Sequence, residues 1–221
     1  MTSKMPSKMS NQDRVLSELR NSIVLGKYLP GEHLVEEDLA RAFNSSRSTI
    51  RLCLTILERD GIVTEGTPRG FYVSKIDLQE TLELLEARIR IETLAGSLAA
   101  KRINEGGLRQ LKDTLTQMEL SIEERDFMRY SLLNSEFHSL VYGASGNKSL
   151  EYVGVQLKTR IIRLQYKIAF IQGRPQKSLR EHKEIYEALK NRDGPRVERL
   201  IRKHIGGIKR AIEKNYGLLG A

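Results

Sequence analysis

Residues 19–73 read LRNSIVLGKYLPGEHLVEEDLARAFNSSRSTIRLCLTILERDGIVTEGTPRGFYV. Leu19, Ile23 and Val24, with Val15 and Leu16 just upstream, keep helical spacing until Gly26 and the Pro30-Gly31 turn. Leu34 to Phe43 predicts a second short helix, with Leu39, Ala40 and Phe43 as its buried side. Asn44, Ser45 and Ser46 make a polar break whose serines suit a helix start, and a third helix follows from about Arg47 to Arg59. Its apolar face is Ile50, Cys53, Leu54 and Leu57. After the Asp60-Gly61 stop, Ile62–Glu65, the breaker run Gly66-Thr67-Pro68-Arg69-Gly70 and Phe71–Val73 read as strand, turn, strand. Three short helices followed by a β-hairpin is the order of a winged helix-turn-helix.

That order gives particular side chains a task. Arg47 and Arg51 stand four residues apart, one above the other on the third helix and opposite its apolar face. Ser46, Ser48 and Thr49 add hydroxyls at a helix start, where free backbone N–H groups favour a phosphate. Arg69, flanked by Pro68 and Gly70, falls at the hairpin tip, where a wing meets a DNA backbone or minor groove. The plain alternative for the arginine pair is a solvated helix face.

Outward from this stretch, composition narrows the classes. The chain has 221 residues, 39% hydrophobic and 29% charged, one cysteine and a formal net charge of +9. A lone Cys53 makes no intramolecular disulfide, residues 1–10 read as a flexible tail without the apolar core of a signal peptide, and the run 161–171 is broken by Arg163 and Lys167. A cytoplasmic chain outside the membrane is expected. The charge suggests an anionic partner, yet residues 1–75 hold 11 Lys+Arg against 9 Asp+Glu, so the surplus lies in the other half. DNA binding therefore rests on the placed arginines, not on net charge.

Beyond residue 75 the pattern changes to long amphipathic helices, expected at about 77–103, 105–124, 126–144, 147–172, 175–191 and 193–215. The fold class is mainly α: a tail over 1–10, a winged helix-turn-helix over 11–75, and an all-α bundle of about six helices over 76–221. Of the four histidines, His33 lies in the first domain, while His138, His182 and His204 fall on three different bundle helices. Inward-looking positions follow each: Leu140 and Val141, Ile185, and Ile205 and Ile208. Asn134 precedes His138 by one turn, on the same face. Three converging imidazoles suit zinc or nickel with one position left open; three separate packing residues are the alternative. The acids nearest them in sequence, Glu136 and Glu181, are expected on other helix faces.

The quoted stretch resembles the winged-helix domain of GntR-type bacterial transcription regulators, in its PGE-L turn, DLA helix, SR-x-x-x-R recognition helix, L-x-x-DG stop and RGFYV wing. The resemblance implies DNA contacts at Arg47, Arg51, Thr49, Arg69 and Gly70. It departs at Glu37, where some members place a base-contacting arginine. N-SEFH-SLVYGASGN, EHKEIYEALKNRD and RKHI look like the ligand-binding domain of the FadR subfamily. That likeness implies metal ligands at Asn134, His138, His182 and His204, with Asn134 standing where most metal-binding members have Asp. It also implies that Arg88 receives an acidic group of a small carboxylate or sugar-acid effector, unless it pairs with Glu83, Glu86 or Glu92. Tyr130, Tyr142 and Tyr166 are candidates to line the same cavity.

The implied function is a metabolite-responsive repressor acting as a homodimer on a palindromic double-stranded operator. The rival from another class is a metal-dependent enzyme in the helical domain, with the winged helix as its docking module. HExxH, a Gly-rich phosphate loop and GxSxG are all missing from the sequence. An architectural DNA binder is the third reading and leaves the histidines without a task.

Overall fold

The computed structural model describes residues 10–75 and 77–218, excluding the side chains of residues 162, 163, 165, 166 and 218. The tail expected over 1–10 lies, through residue 9, outside the described residues. Two compact units divide between Lys75 and residue 76.

In the first unit, α1 (Asn11–Val24) starts at Ser10, whose hydroxyl accepts from the Asp13 N–H, and gives way to Gly26 at φ +77°. Next come β1 (His33–Leu34), α2 (Glu36–Ala42), α3 (Arg47–Arg59), β2 (Val63–Gly66) and β3 (Gly70–Val73). Glu36, Glu37 and Asp38 fill the first turn of α2, where carboxylates match the helix dipole. The apolar face of α3 buries Ile50, Cys53, Leu54 and Leu57 against Val15, Leu19 and Ile23 of α1, each such side chain contributing about 2 kcal/mol.

The second helix is shorter than its apolar spacing suggests. Leu34 is not helical: it pairs with Phe71 while His33 pairs with Tyr72, making a three-stranded antiparallel sheet in the order β1-β3-β2. A two-residue strand has no alternation to read, so Leu34 looked like the first apolar residue of the helix behind it.

The second unit contains α4 (Leu78–Arg102), α5 (Glu105–Glu123), α6 (Phe127–Ala144), α7 (Lys148–Ala169), α8 (Arg174–Lys190) and α9 (Gly194–Asn215), with a 3-10 turn at Tyr216–Leu218. Asp77, Asn104, Asp126, Asn147 and Asp193 cap five of these helices through their side chains. The molecule is mainly helical, as expected, with each boundary within a few residues of its sequence reading. α4 packs against α6, α7, α8 and α9. Gly96 lets α9 approach closely, since a Cβ there would lie 2.4 Å from Ile201 Cδ1. No helix of the described residues is long and apolar enough to cross a membrane.

Candidate functional site

Two places collect the chemistry. In the first unit, Ser46 caps α3 by accepting from the Thr49 N–H at 3.1 Å, and its hydroxyl also meets Ser48 Oγ and Thr49 Oγ1 at 2.8 Å. Cap and hydroxyls thus share one helix start. Arg47 and Arg51 project from it with 68% and 63% of their side chains exposed. They face an open concavity whose wall also includes Arg69 and Gly70 of the hairpin. Gly70 is required by close approach: a Cβ there would stand 2.4 Å from His33 Nε2. His33 in turn stacks on Tyr72 at 4.7 Å, which fixes the wing's inner edge.

Three carboxylates line this concavity: Glu37, the departure already noted in sequence, and Glu36 and Glu65, which the sequence reading missed. Glu36 Oε1 lies 3.1 Å from Arg51 Nε, and its Oε2 lies 3.9 Å from Arg47 Nη2.

In the second unit, α6, α8 and α9 each deliver one histidine to a single point. Ligand nitrogens of His138, His182 and His204 all lie within 4.8 Å of one another, and the rings are 4%, 0% and 0% exposed. His138 Nδ1 stands 2.9 Å from Glu92 Oε2 and His204 Nδ1 2.7 Å from Glu181 Oε2. A carboxylate only accepts, so in the neutral rings each Nδ1 carries the proton and each Nε2 keeps a lone pair.

Glu181 is the correction here. It was expected to point away, and it is instead a buried partner of His204. Glu92 of α4 was missed as a histidine partner altogether. The signal was available: Leu85, Arg88, Glu92, Ala95 and Ala99 follow 3-4-3-4 spacing, so two charges occupy an otherwise apolar stripe.

Burial pushes His182 well below its ordinary value, with further lowering from His204, His138 and Arg174. Burial likewise brings His204 down to about 4, against the opposing pull of Glu181. Burial alone would raise Glu92, but the charge of Arg88 and then His138 holds it well below the carboxylate range. For Glu181, burial is the largest single influence and would raise it, but the hydrogen bonds and charges of His204 and Arg174 together outweigh it, and its pKa is lowered. Neutral His182 and His204 beside an ionised Glu181 are in the state in which imidazoles bind metals.

The donor set fits a divalent ion. His204 Nε2 and His182 Nδ1 are buried without a hydrogen-bond partner. His138 Nε2 and His182 Nε2 are 3.3 Å apart, and nitrogens at about 2.0–2.1 Å on one tetrahedral zinc are separated by about 3.3 Å. Asn134 is half-buried one turn from His138 and makes no hydrogen bond to the trio. It lines an adjoining cavity with Tyr130, Ser131, Arg174, Pro175 and Ser178.

Of the expected effector residues, Tyr130 lines that cavity, while Arg88 and Tyr142 are absent from its wall. Arg88 is fully buried and gives Nε and Nη2 to Glu92 Oε1 at 2.7 and 2.5 Å, the pairing the sequence left open. Its Nη1 and the Tyr142 hydroxyl are buried without partners. The side chain of Tyr166 lies outside the described residues. The cavity has its own cation, Arg174, which is 7% exposed, gives Nη1 to Glu181 at 3.2 Å and keeps Nη2 unpartnered. Lys158, buried on α7, donates to Ser135 O at 2.6 Å and Ser139 Oγ at 2.9 Å, and burial lowers it to about 8.

Comparison with known proteins places both units. Residues 11–73 match the model of bacterial regulatory proteins of the gntR family, and residues 83–207 match the FCD domain. The HTH-type transcriptional repressor RspR of Escherichia coli K12 is 29% identical over 95% of this chain and 91% of its own. The galactonate operon transcriptional repressor of the same organism is 23% identical over 93% and 98%. The solved E. coli McbR/YncC superposes with a TM-score of 0.83 at 19% identity, covering 95% of this chain and all of that one, a likeness of fold. The matched families and these relatives are regulators, not enzymes, and the chain belongs to the gntR family of DNA-binding transcriptional regulators, with an FCD domain as its helical half.

Proposed function

We propose that the chain is a cytoplasmic, metabolite-responsive repressor that binds an inverted-repeat operator as a homodimer. Ser46, Arg47, Thr49 and Arg51 address the major groove, and Arg69 with Gly70 the backbone beside it. His138, His182 and His204 hold a divalent ion, zinc or nickel, with Asn134 a neutral neighbour; such an ion supplies an open position for a ligand oxygen.

One observation carries the effector reading: a buried arginine with an unpartnered Nη2, Arg174, lines a cavity shared with Tyr130 and Ser178 and makes a contact with Glu181, which in turn holds His204. A guanidinium and a metal face together favour a small carboxylate, and a sugar acid is compatible with the galactonate in one relative's name. In this reading Arg174 takes the acid group, while Arg88 and Tyr142 stand behind the trio around Glu92. The cavity holds about 30 Å³, room for a water or two, so an acid must part the α6, α7 and α8 side chains to enter. That displacement is the source of the response.

The dimer reading rests on α4. Leu84, Ala87, Ile91, Leu94 and Leu98 form a second stripe at heptad spacing, partly or fully exposed, distinct from the buried stripe. A thermal-shift screen of organic and sugar acids, with and without zinc or nickel, tests the proposal when each hit is then added to an operator-bound sample. An acid that stabilises the protein only with metal, and releases DNA, is expected. Hits indifferent to metal and to Arg174→Gln sink the effector assignment.

A further inference from the structure

The reading head carries a carboxylate where a DNA-facing surface would be expected to have none. Glu36, in the first turn of α2, has 20% of its side chain exposed and reaches both exposed arginines of α3. Its contact to Arg51 is through Nε, at 3.1 Å. A guanidinium gripped at Nε keeps both terminal nitrogens free, the pair that meets guanine O6 and N7 or a phosphate in bidentate fashion.

Glu36 also places a negative charge beside the two cations, in a unit whose surplus is small. A polyphosphate backbone offers Arg47 and Arg51 charge without fixed geometry, and there it must displace or tolerate the Glu36 carboxylate. A correctly placed base edge makes its bond to the terminal nitrogens while the Nε contact persists. The contact thus penalises loose phosphate binding more than it penalises base reading.

We propose that Glu36 is the specificity-determining positioning residue of this DNA-binding head: it orients Arg51, and through the shared carboxylate Arg47, and lowers affinity for non-operator DNA. The inference rests on the reading that these arginines touch DNA. Neighbouring Glu37 supplies the control. It lies in the same turn and concavity, and its side chain has no hydrogen-bond or ion-pair partner among the described residues.

The test uses the full chain and two duplexes of equal length: the inverted repeat recovered by selection from random DNA, and a scramble of it. Dissociation constants are measured over a salt series for the wild type, Glu36→Gln, Glu37→Gln, Arg51→Ala and the Glu36→Gln/Arg51→Ala double variant. Glu36→Gln is expected to tighten scrambled DNA about tenfold and leave the operator within about threefold, so that discrimination collapses. Glu37→Gln should tighten both duplexes alike. With Arg51 already gone, Glu36→Gln should change discrimination far less than in the wild-type background, through the longer Arg47 contact alone.

Equal tightening of both duplexes by Glu36→Gln, as for Glu37→Gln, would show a plain charge effect and overturn the proposal. So would unchanged discrimination in a folded Glu36→Gln chain, with folding checked by circular dichroism. If Arg51→Ala binds the operator as the wild type does, the recognition-helix reading itself fails, a result separable from the first two.

Discussion

A single buried charge pair shows how tightly residue chemistry is coupled in the bundle. Arg88 and Glu92 are both buried, and Glu92 divides its oxygens between Arg88 and His138. Removing the cation strands a carboxylate in the core, so Arg88→Ala is expected to cost about 3–5 kcal/mol in urea unfolding, with an unchanged denaturant slope. A loss below about 1 kcal/mol would mean that water reaches Glu92. The histidines add a pH dependence. His204 is held at about 4 when folded, against 6.5 for a free imidazole, so between those values the unfolded chain takes up a proton that the folded chain refuses. Stability of the metal-free protein must then fall on acidification, by about 2 kcal/mol between pH 7 and pH 5 from His204 alone, and His182 acts in the same direction. Urea titrations at those two pH values check it, and a flat profile would mean the rings are hydrated. The three histidines were legible from sequence because each sits among inward-facing apolar residues. Their carboxylate partners were not, because charged side chains are by default assigned to solvent. Only the spacing of Arg174, Ser178, Glu181 and Ile185 along one face of α8 marks Glu181 as internal.

Helices were the most readable elements, since five of the bundle's six begin at an Asp or Asn cap and their apolar faces keep their period over many residues. The failures lay where an element is short or where a small residue serves packing. β1 spans two residues, and only its pairing with β3 distinguishes it from the start of α2. Glycines inside helices are the second case, because sequence alone reads them as weak points. Gly154 of α7 lies under the Tyr142 ring, and a Cβ there would approach Cζ at 2.2 Å. Gly143 of α6 is exposed and meets nothing within 4 Å. The same substitution should therefore have opposite signs at the two positions. Gly143→Ala is expected to stabilise by up to about 1 kcal/mol through helix propensity, while Gly154→Ala loses about 1–2 kcal/mol as the ring is displaced. Thermal unfolding of both variants decides it; a stabilised Gly154→Ala would show that Tyr142 relocates freely.

At the scale of the whole molecule, the formal charge of +9 proved a poor guide to DNA binding, and its distribution says more. The stretch from Lys158 to Lys214 contains 17 basic and 6 acidic residues, while the reading head is nearly balanced. A head that reads DNA with few cations has limited electrostatic affinity of its own, and pairing two heads is the direct way to raise it. The α4 stripe is suited to that pairing. Leu94, at its centre, is 49% exposed and lies on the face opposite the Glu92 row. Ala87 and Leu98 flank it at heptad distances, so an identical helix from a second copy would bury the whole stripe. A carboxylate at its centre would be forced into that interface without a partner. Leu94→Glu is therefore expected to leave the fold intact, shift sedimentation from dimer to monomer, and weaken binding to a two-half-site operator by at least about a hundredfold. Binding to a single half-site should change by less than about threefold. A Leu94→Glu protein that still sediments as a dimer would move the interface off α4; one that is monomeric yet binds the full operator as tightly as before would remove dimerisation from the mechanism of recognition.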